Sequence, residues 1–398
     1  MNRNKSPRLR FAGFTGEWEE KTLGENASFT KGSGYSKSDL TNEGFPIILY
    51  GRLYTQYENI INNVDTFVSY DKNALKSFGN EVIVPASGET AEDIARASAV
   101  IQKGVILGGD LNVITPNSDI APPFLALALT NGKNNKELAK KAQGKSVVHL
   151  RNDDLKACEI YFPTKPEQTA LGDFFRRLDE TLAQARARLA KTRQLKRAML
   201  AKLFPAHGET APKLRFQGFS GDWERKMLGE MVEIVMGQSP SSTSYTENPK
   251  DFILVQGNAD MKDGKVFPRV WTTELTKQGK AGDIVMSVRA PVGDVGKTDY
   301  DIVLGRGVCA IKGNEFIYQA LWKMKSDGYW NSVSSGSTFE SVNSDDIKNA
   351  ELFIPPTPEE QTAIGNFFQK LDQTLALQNA ALEKLTRLKK ALLAAMLA

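Results

Sequence analysis

Only a few residues in this chain have the type and spacing that catalysis would use. Pro122-Pro123-Phe124 has the outline of the Asn/Asp-Pro-Pro-aromatic motif that holds a flipped base in an adenine methyltransferase. Ala121 stands where the required amide or carboxylate belongs. Gly32-Ser33-Gly34 is a glycine pair without the dinucleotide-binding fingerprint and reads as a turn. Asp153-Asp154 recurs as Asp345-Asp346, but neither pair has the matching lysine of a metal-assisted nuclease. Both precede a β-like run and read as turn or capping residues. The histidines are His149 and His207, and Ser87-Gly88 lacks a nucleophile-elbow pattern. Cys158 and Cys309 lie far apart and share no ligand spacing with the histidines, which supports neither a disulfide framework nor a zinc site. The expectation is a chain with no catalytic residues, no metal and no cofactor.

The residue types fit contact with nucleic acid better. Base edges are read by arginine, asparagine, glutamine and small hydroxyls on exposed loops, with lysine on phosphates. In the first half the candidates are Lys31, Ser33, Tyr35, Arg52, Ser87, Glu89, Thr90, Arg96 and Lys145. In the second half they are Gln238, Ser239, Gln256, Asn258, Arg269, Arg289, Arg306, Ser337 and Thr338. Glycines such as Gly51, Gly257 and Gly305 would permit close backbone approach. Any one of these residues could equally be a solvated loop residue, and Tyr50 and Tyr54 could equally be core aromatics. Net charge is only +4 with a pI near 8.8, so placement matters more than the total.

The elements that must position these residues come as one plan written twice. Leu9-Arg10-Phe11, Gly13-Phe14, Gly16 and Trp18-Glu19 recur 205 residues later as Leu214-Arg215-Phe216, Gly218-Phe219, Gly221 and Trp223-Glu224. A closing block, Glu167-Gln168-Thr169-Ala170 with Phe174-Phe175 and Leu178-Asp179, recurs 193 residues later as Glu360-Gln361-Thr362-Ala363, Phe367-Phe368 and Leu371-Asp372. The ends match and the middles differ, as expected if the ends set architecture and the middles set specificity.

Two long helices follow the closing blocks. Leu171, Phe175, Leu178, Leu182, Ala185, Leu189, Thr192 and Met199 alternate in steps of three and four, with Lys196 in the remaining seam position. Ile364, Phe368, Leu371, Leu375, Leu382, Leu385, Leu392 and Met396 repeat the pattern. The helices would bury these stripes against each other, or each against its own globular unit. Between them, short β-like runs such as Glu81-Val82-Ile83-Val84 and Asp283-Ile284-Val285-Met286, each set followed by a helical segment, predict two small α+β domains. The predicted fold is therefore α+β: two similar globular domains (1–165 and 206–357) joined by two long helices (166–205 and 358–398) in an antiparallel, pseudo-two-fold coiled coil. MNRNKSPRLRF has no apolar signal core, and no apolar run is long enough to span a bilayer, so the expected location is the cytoplasm, with no membrane partner.

In these features the chain resembles the specificity subunits of Type I restriction–modification enzymes. The resemblance is carried by Gly336-Ser337-Thr338, Ile354-Pro355-Pro356 through Glu360-Gln361, Leu371-Asp372, the duplicated Trp18 and Trp223 openings, and Gly282-Asp283-Ile284-Val285 through Val292-Gly293. It spans essentially the whole length. It implies a non-enzymatic subunit in which two target-recognition domains each read half of a bipartite double-stranded DNA site. It also implies that the helices act as a ruler, that two modification (methyltransferase) subunits dock, and that restriction (motor and nuclease) subunits join. Gly144-Lys145-Ser146 stands in place of Gly336-Ser337-Thr338, and Ser87-Gly88-Glu89-Thr90 in place of Arg289-Ala290-Pro291. These departures imply unlike half-sites. A coiled-coil protein scaffold without sequence-specific DNA reading is the rival expectation.

Overall fold

The computed structural model describes residues 6–32, 34–71, 74–144, 147–206, 208–334 and 340–397. The chain divides into two compact units, residues 1–185 with 381–398 and residues 186–380. Each unit holds one mixed globular domain and one half of each long helix.

In the first unit the apolar run Glu81–Pro85 is buried throughout and lies inside a five-stranded sheet. Leu111–Pro116 pairs antiparallel with it and with Ala27–Lys31, while Ser98–Val100 pairs on its other edge. A second, four-stranded sheet holds Phe45–Ile48 and Ile106–Leu107 as parallel neighbours. The second unit repeats this arrangement. Ile284–Ser287 lies antiparallel to Val308–Ile311, which pairs with Ile234–Met236, and Phe252–Val255 runs parallel to Ile302–Leu304. The helices Pro122–Thr130 and Glu315–Ser326 pack behind these sheets and close the two main cores.

The long helices are Lys165–Leu203 and Pro358–Met396, each 39 residues, so about 58 Å at 1.5 Å per residue. Leu171, Phe175, Leu182, Leu189 and Lys196 are buried along the first, as the seam predicts, while at its end Leu200 and Leu203 are buried and the seam residue Met199 is half-buried. In the first unit the head of the central helix, Leu171 and Phe175, shares a core with the tail of the C-terminal helix, Met396 and Leu397. In the second unit Leu200 and Leu203 share a core with Ile364 and Phe368. Heads against tails within each unit is the antiparallel direction. A helix packs closely on its own domain through a glycine: a Cβ at Gly172 would lie 3.0 Å from Pro123 Cβ, and one at Gly365 would lie 2.9 Å from Glu315 Cβ. The alternatives of helix pairing and domain packing are thus both realised.

The repeated opening motif explains itself in these contacts. Gly13 and Gly218 have φ of 94° and 95°, and Gly16 and Gly221 have 89° and 88°, a region that favours glycine. The turn brings Arg10 onto Glu167, with Nε and Nη2 donating at 2.8 and 2.6 Å. Arg215 grips Glu360 the same way at 2.7 and 2.6 Å. Phe11 packs edge-on against Phe174, and Phe216 against Phe367.

The lysine in the helix seam also has a repeat-related twin. Lys196 is buried and donates to Asp372 at 2.6 Å, and Lys389 donates to Asp179. Lys196 also lies 4.5 Å from the Trp322 ring centroid. Burial pushes its pKa down, and the Asp372 charge opposes that shift. The two partners are not equivalent. Asp372 is 31% exposed and keeps a hydrogen bond from Gln319 at 2.8 Å, whereas the Lys196 side chain is 5% exposed. Lys196→Met is therefore expected to cost less than about 1 kcal/mol, because Asp372 stays solvated. Asp372→Ala strands a buried ammonium and should approach the ~3–5 kcal/mol of a broken buried pair. A lysine whose folded pKa lies below its unfolded value binds more protons when unfolded, so stability rises with pH between the two values. The Asp372→Ala deficit should shrink as pH rises from neutrality toward 10, in urea unfolding at fixed ionic strength. Equal losses in the two variants, or a deficit that grows with pH, would contradict this account.

Candidate nucleic-acid interface

In the second unit the predicted residues come together because three backbone segments meet without intervening side chains. Gly237 N–H donates to the Val308 carbonyl at 3.0 Å, Gln238 N–H to the Leu304 carbonyl at 2.8 Å, and Gly305 N–H to the Val255 carbonyl at 2.8 Å. A Cβ at Gly237 would lie 2.0 Å from the Gly305 oxygen, and one at Gly307 would lie 2.0 Å from the Gln256 oxygen. Ser239 Oγ accepts from Arg306 N–H at 3.0 Å, and the Asp260 carboxylate holds Gln256 N–H at 2.7 Å. This confluence presents Gln238, Ser239, Gln256, Asn258 and Arg306 on adjoining turns. Arg269 joins it by donating to the Ala259 carbonyl at 3.0 Å. Gly307 also accepts from Val288 N–H at 2.9 Å, which brings Arg289 alongside, exposed and bridged to Ser341.

The first unit has the same joint. Gly32 N–H donates to Leu111 and Gly108 N–H to Ile48, both at 2.9 Å. A Cβ at Gly32 would lie 1.8 Å from the Gly108 oxygen. Gly32 and Gly237 are 205 residues apart, the spacing of the opening motif. Ala86 N–H donates to Asp110 at 2.7 Å, the counterpart of Val288 on Gly307, so Ser87 occupies the place of Arg289. Lys31 is exposed at the end of its strand, beside Gly32.

Four predicted residues of this unit are instead engaged within the fold. Tyr35 is buried in the second sheet's core with Ile47, Val68 and Ile106, its ring 5.9 Å from Tyr70. Arg52 is 8% exposed in its side chain and ion-paired to both Glu58 (2.9 Å) and Asp65 (2.6 Å). A guanidinium with two carboxylates has no fork left for a base. Arg96 is ion-paired to Asp93 and lies over the Tyr57 ring, and Thr90 caps the short helix Ala91–Ile94 by accepting from Asp93 N–H. Glu89 is exposed beside them. Ser33, Lys145, Ser337 and Thr338, with Ser146, Gly336 and His207, lie outside the described residues.

His149, which residue type did not single out, and Tyr54, which could equally be a core aromatic, both adjoin Ser87. His149 pairs in register with Ser87, its Nδ1 3.2 Å from Ser87 Oγ. Tyr54 donates to the Ser87 carbonyl at 2.8 Å, and burial drives its hydroxyl pKa up, so it stays a neutral donor. The repeat could have revealed His149, since it lies 192 residues before Ser341, the spacing of Asp153 to Asp345. Those aspartates are capping residues, as expected: Asp154 accepts from Arg151 N–H at 2.9 Å and Asp346 from Asn343 N–H at 2.8 Å. Cys158 and Cys309 are buried free thiols, pushed up to about 11 and about 12 by desolvation. Among the described residues no helix is long and apolar enough to cross a membrane.

The family model described as Type I restriction modification DNA specificity domain matches residues 15–191 and again 220–387. The chain belongs to this family. A Methanocaldococcus jannaschii chain, provisionally named the MjaX type I restriction enzyme specificity subunit, is 27% identical over 300 residues, 71% of this chain and 69% of that one. The MjaIX specificity subunit of the same organism is 25% identical over 194 residues, covering 41% and 42% of the two chains. The fold matches the crystal structure of the type I S subunit from M. genitalium, with a TM-score of 0.68, 18% identity and 99% of each chain covered. It also matches a chain from a structural study of type I R-M assembly and conformational transition, with a TM-score of 0.58, 23% identity and coverage of 96% and 97%. Each compact unit carries one backbone confluence and one head-to-tail helix pair. The role is DNA specificity, and the rival reading as a scaffold that does not read DNA falls with the family assignment.

Proposed function

We propose that the chain reads a bipartite, asymmetric double-stranded DNA site, one half-site per unit, and itself catalyses nothing. The carrying observation is the confluence built twice from matched glycines, Gly32 with Gly108 and Gly237 with Gly305, around unlike side chains. A shared frame with different projecting groups is what reading two different sequences on one backbone geometry requires. Residues 1–165 and 206–357 are assigned as the two recognition domains. Lys31, Ser33, Ser87, Glu89 and Lys145 serve the first. Gln238, Ser239, Gln256, Asn258, Arg269, Arg289 and Arg306 serve the second, with Ser337 and Thr338.

The helices hold the half-sites apart and receive the partner subunits in the cytoplasm. Leu195 and Leu388 stand 193 residues apart and are each 47% exposed. Lys191 and Lys384, also 193 apart, are exposed four residues before them. Two equal patches fit two copies of one modification subunit, with restriction subunits joining that assembly.

Methylome sequencing of cells carrying this chain with its cognate modification subunit tests the reading. The expected motif has two unlike half-sites and a fixed spacer. Four residues inserted after Ala187 and after its repeat-equivalent Ala380 lengthen the helices by about 6 Å, or one to two base-pair steps of ~3.4 Å. The spacer should lengthen while both half-sites persist. A contiguous motif, or changed half-sites with the spacer intact, would refute the proposal.

A further inference from the structure

We infer that Arg306 reads guanine in the half-site of the second unit. The inference rests on the DNA-reading assignment above and adds the identity of a base.

Arg306 sits between Gly305 and Gly307, both pressed against Gln256: a Cβ at Gly305 would lie 3.1 Å from Gln256 Cα, and one at Gly307 would lie 2.0 Å from the Gln256 oxygen. Its own N–H is clamped by Ser239 Oγ at 3.0 Å. The backbone beneath this side chain is therefore fixed on both sides and at the centre. A guanidinium on a fixed base suits a directional two-bond contact, whereas phosphate contact tolerates a flexible point charge.

The guanidinium is also uncommitted. Arg306 is exposed, and its side chain has no hydrogen bond or ion pair among the described residues. Three of the other predicted arginines differ in this respect. Arg52 and Arg96 are ion-paired, and Arg269 is bonded to the Ala259 carbonyl and lies 3.7 Å from Asp260. Arg289 shares the uncommitted state but stands on the adjoining strand edge rather than on the clamped turn.

The neighbours decide between base and phosphate. The turns that meet at Arg306 carry Gln238, Ser239, Gln256, whose Nε2 donates to the Tyr245 hydroxyl at 2.7 Å, and Asn258; the exposed Lys277 stands on the neighbouring segment, whose backbone carbonyl accepts from Leu304 N–H at 2.8 Å. The nearby carboxylate, Asp260, is occupied by Gln256 and Gly257 N–H. Amides and a hydroxyl on the turns themselves form a base-reading set, with Lys277 on the neighbouring segment suited to phosphate. Arginine's fork matches the N7 and O6 acceptors of guanine in the major groove. The matched position in the first unit is Gly109, 197 residues earlier, as Gly108 is to Gly305. The first unit therefore has no such contact to make, and the inference applies to one half-site only.

The test compares Arg306→Ala and Arg306→Lys with the parent chain, each assembled with its modification subunit, by methylome motif and by salt-dependent DNA binding. The expected parent motif contains a G·C pair in the second half-site. Both variants should relax that position alone, with about 5- to 150-fold weaker binding to the parent site. The first half-site and the spacer should remain. Lysine keeps the charge but loses the fork, so it should not restore the guanine preference. If Arg306→Lys restores parent binding with an unrelaxed motif, Arg306 grips phosphate and the inference is overturned. An unchanged motif in Arg306→Ala overturns it as well. A parent chain that yields no bipartite motif would instead overturn the underlying reading.

Discussion

Gly237→Ala is expected to abolish sequence-specific binding by the second unit while the chain remains folded. The added Cβ would lie 2.0 Å from the Gly305 oxygen and 2.7 Å from the Val308 oxygen. Both are backbone atoms tied into neighbouring strands and cannot swing aside as a side-chain tip would. The turns must separate by about 1 Å, which is enough to spoil a preorganised contact set. Each base pair no longer read costs about 1–3 kcal/mol, so losing two or three contacts leaves little beyond non-specific attraction. Gly257→Ala is the control in the same unit, because a Cβ there meets nothing within 4 Å and its φ is extended. Competition binding with specific and scrambled duplexes reads the outcome. Gly32→Ala should do the same to the first unit, where the Cβ would lie 1.8 Å from the Gly108 oxygen. Parent-like discrimination in Gly237→Ala would show that the close approach is not needed.

The largest stability effect is expected at the clamp between the opening motif and the helix head. Glu360 is 1% exposed in its side chain, and both its oxygens accept from Arg215. Arg215→Ala leaves a buried carboxylate without its partner and should cost ~3–5 kcal/mol. Arg215→Lys should rescue little, since an ammonium cannot supply Nε and Nη2 to the two oxygens together. The apolar double replacement Arg215→Met with Glu360→Leu removes the stranded charge and should recover much of the loss. Calorimetric unfolding of these variants, with Arg10→Ala as the repeat-related comparison in the first unit, gives the ranking. A lysine variant as stable as the parent would show that the charge matters and the fork does not.

Much of the frame was legible in the residues. The strands Glu81–Pro85 and Ile284–Ser287 form as their apolar runs predict. The helix seams were legible for the same reason, because apolar periodicity is a local property of the chain. The helix Gly132–Lys141 was not legible. It buries only Asn134 and Leu138, too little apolar surface to leave a period in its Lys- and Asn-rich composition. The site residues divide along the same line. Gln238, Ser239, Gln256 and Arg306 meet on adjoining turns as their types suggested, although Ser239 Oγ already accepts from Arg306 N–H and Gln256 Nε2 donates to the Tyr245 hydroxyl. Tyr35 and Arg52 have the right type, but the fold encloses them, and only contacts reveal that.

The doubled plan, its matched openings and its two helices follow from the sequence alone, because repeats and heptads are written in residue order. Tertiary structure decided which glycines are joints. Gly237 and Gly257 look alike in sequence, yet one is pressed to 2.0 Å of a distant carbonyl and the other faces open space. It also decided which arginines remain uncommitted, since Glu58 and Asp65 reach Arg52 through the folded chain while no described carboxylate reaches Arg306. The physical reason is common to both: close backbone approach and charge neutralisation depend on distances set by the folded backbone, whether across 68 residues from Gly237 to Gly305 or 13 from Arg52 to Asp65, which neither periodicity nor residue type encodes.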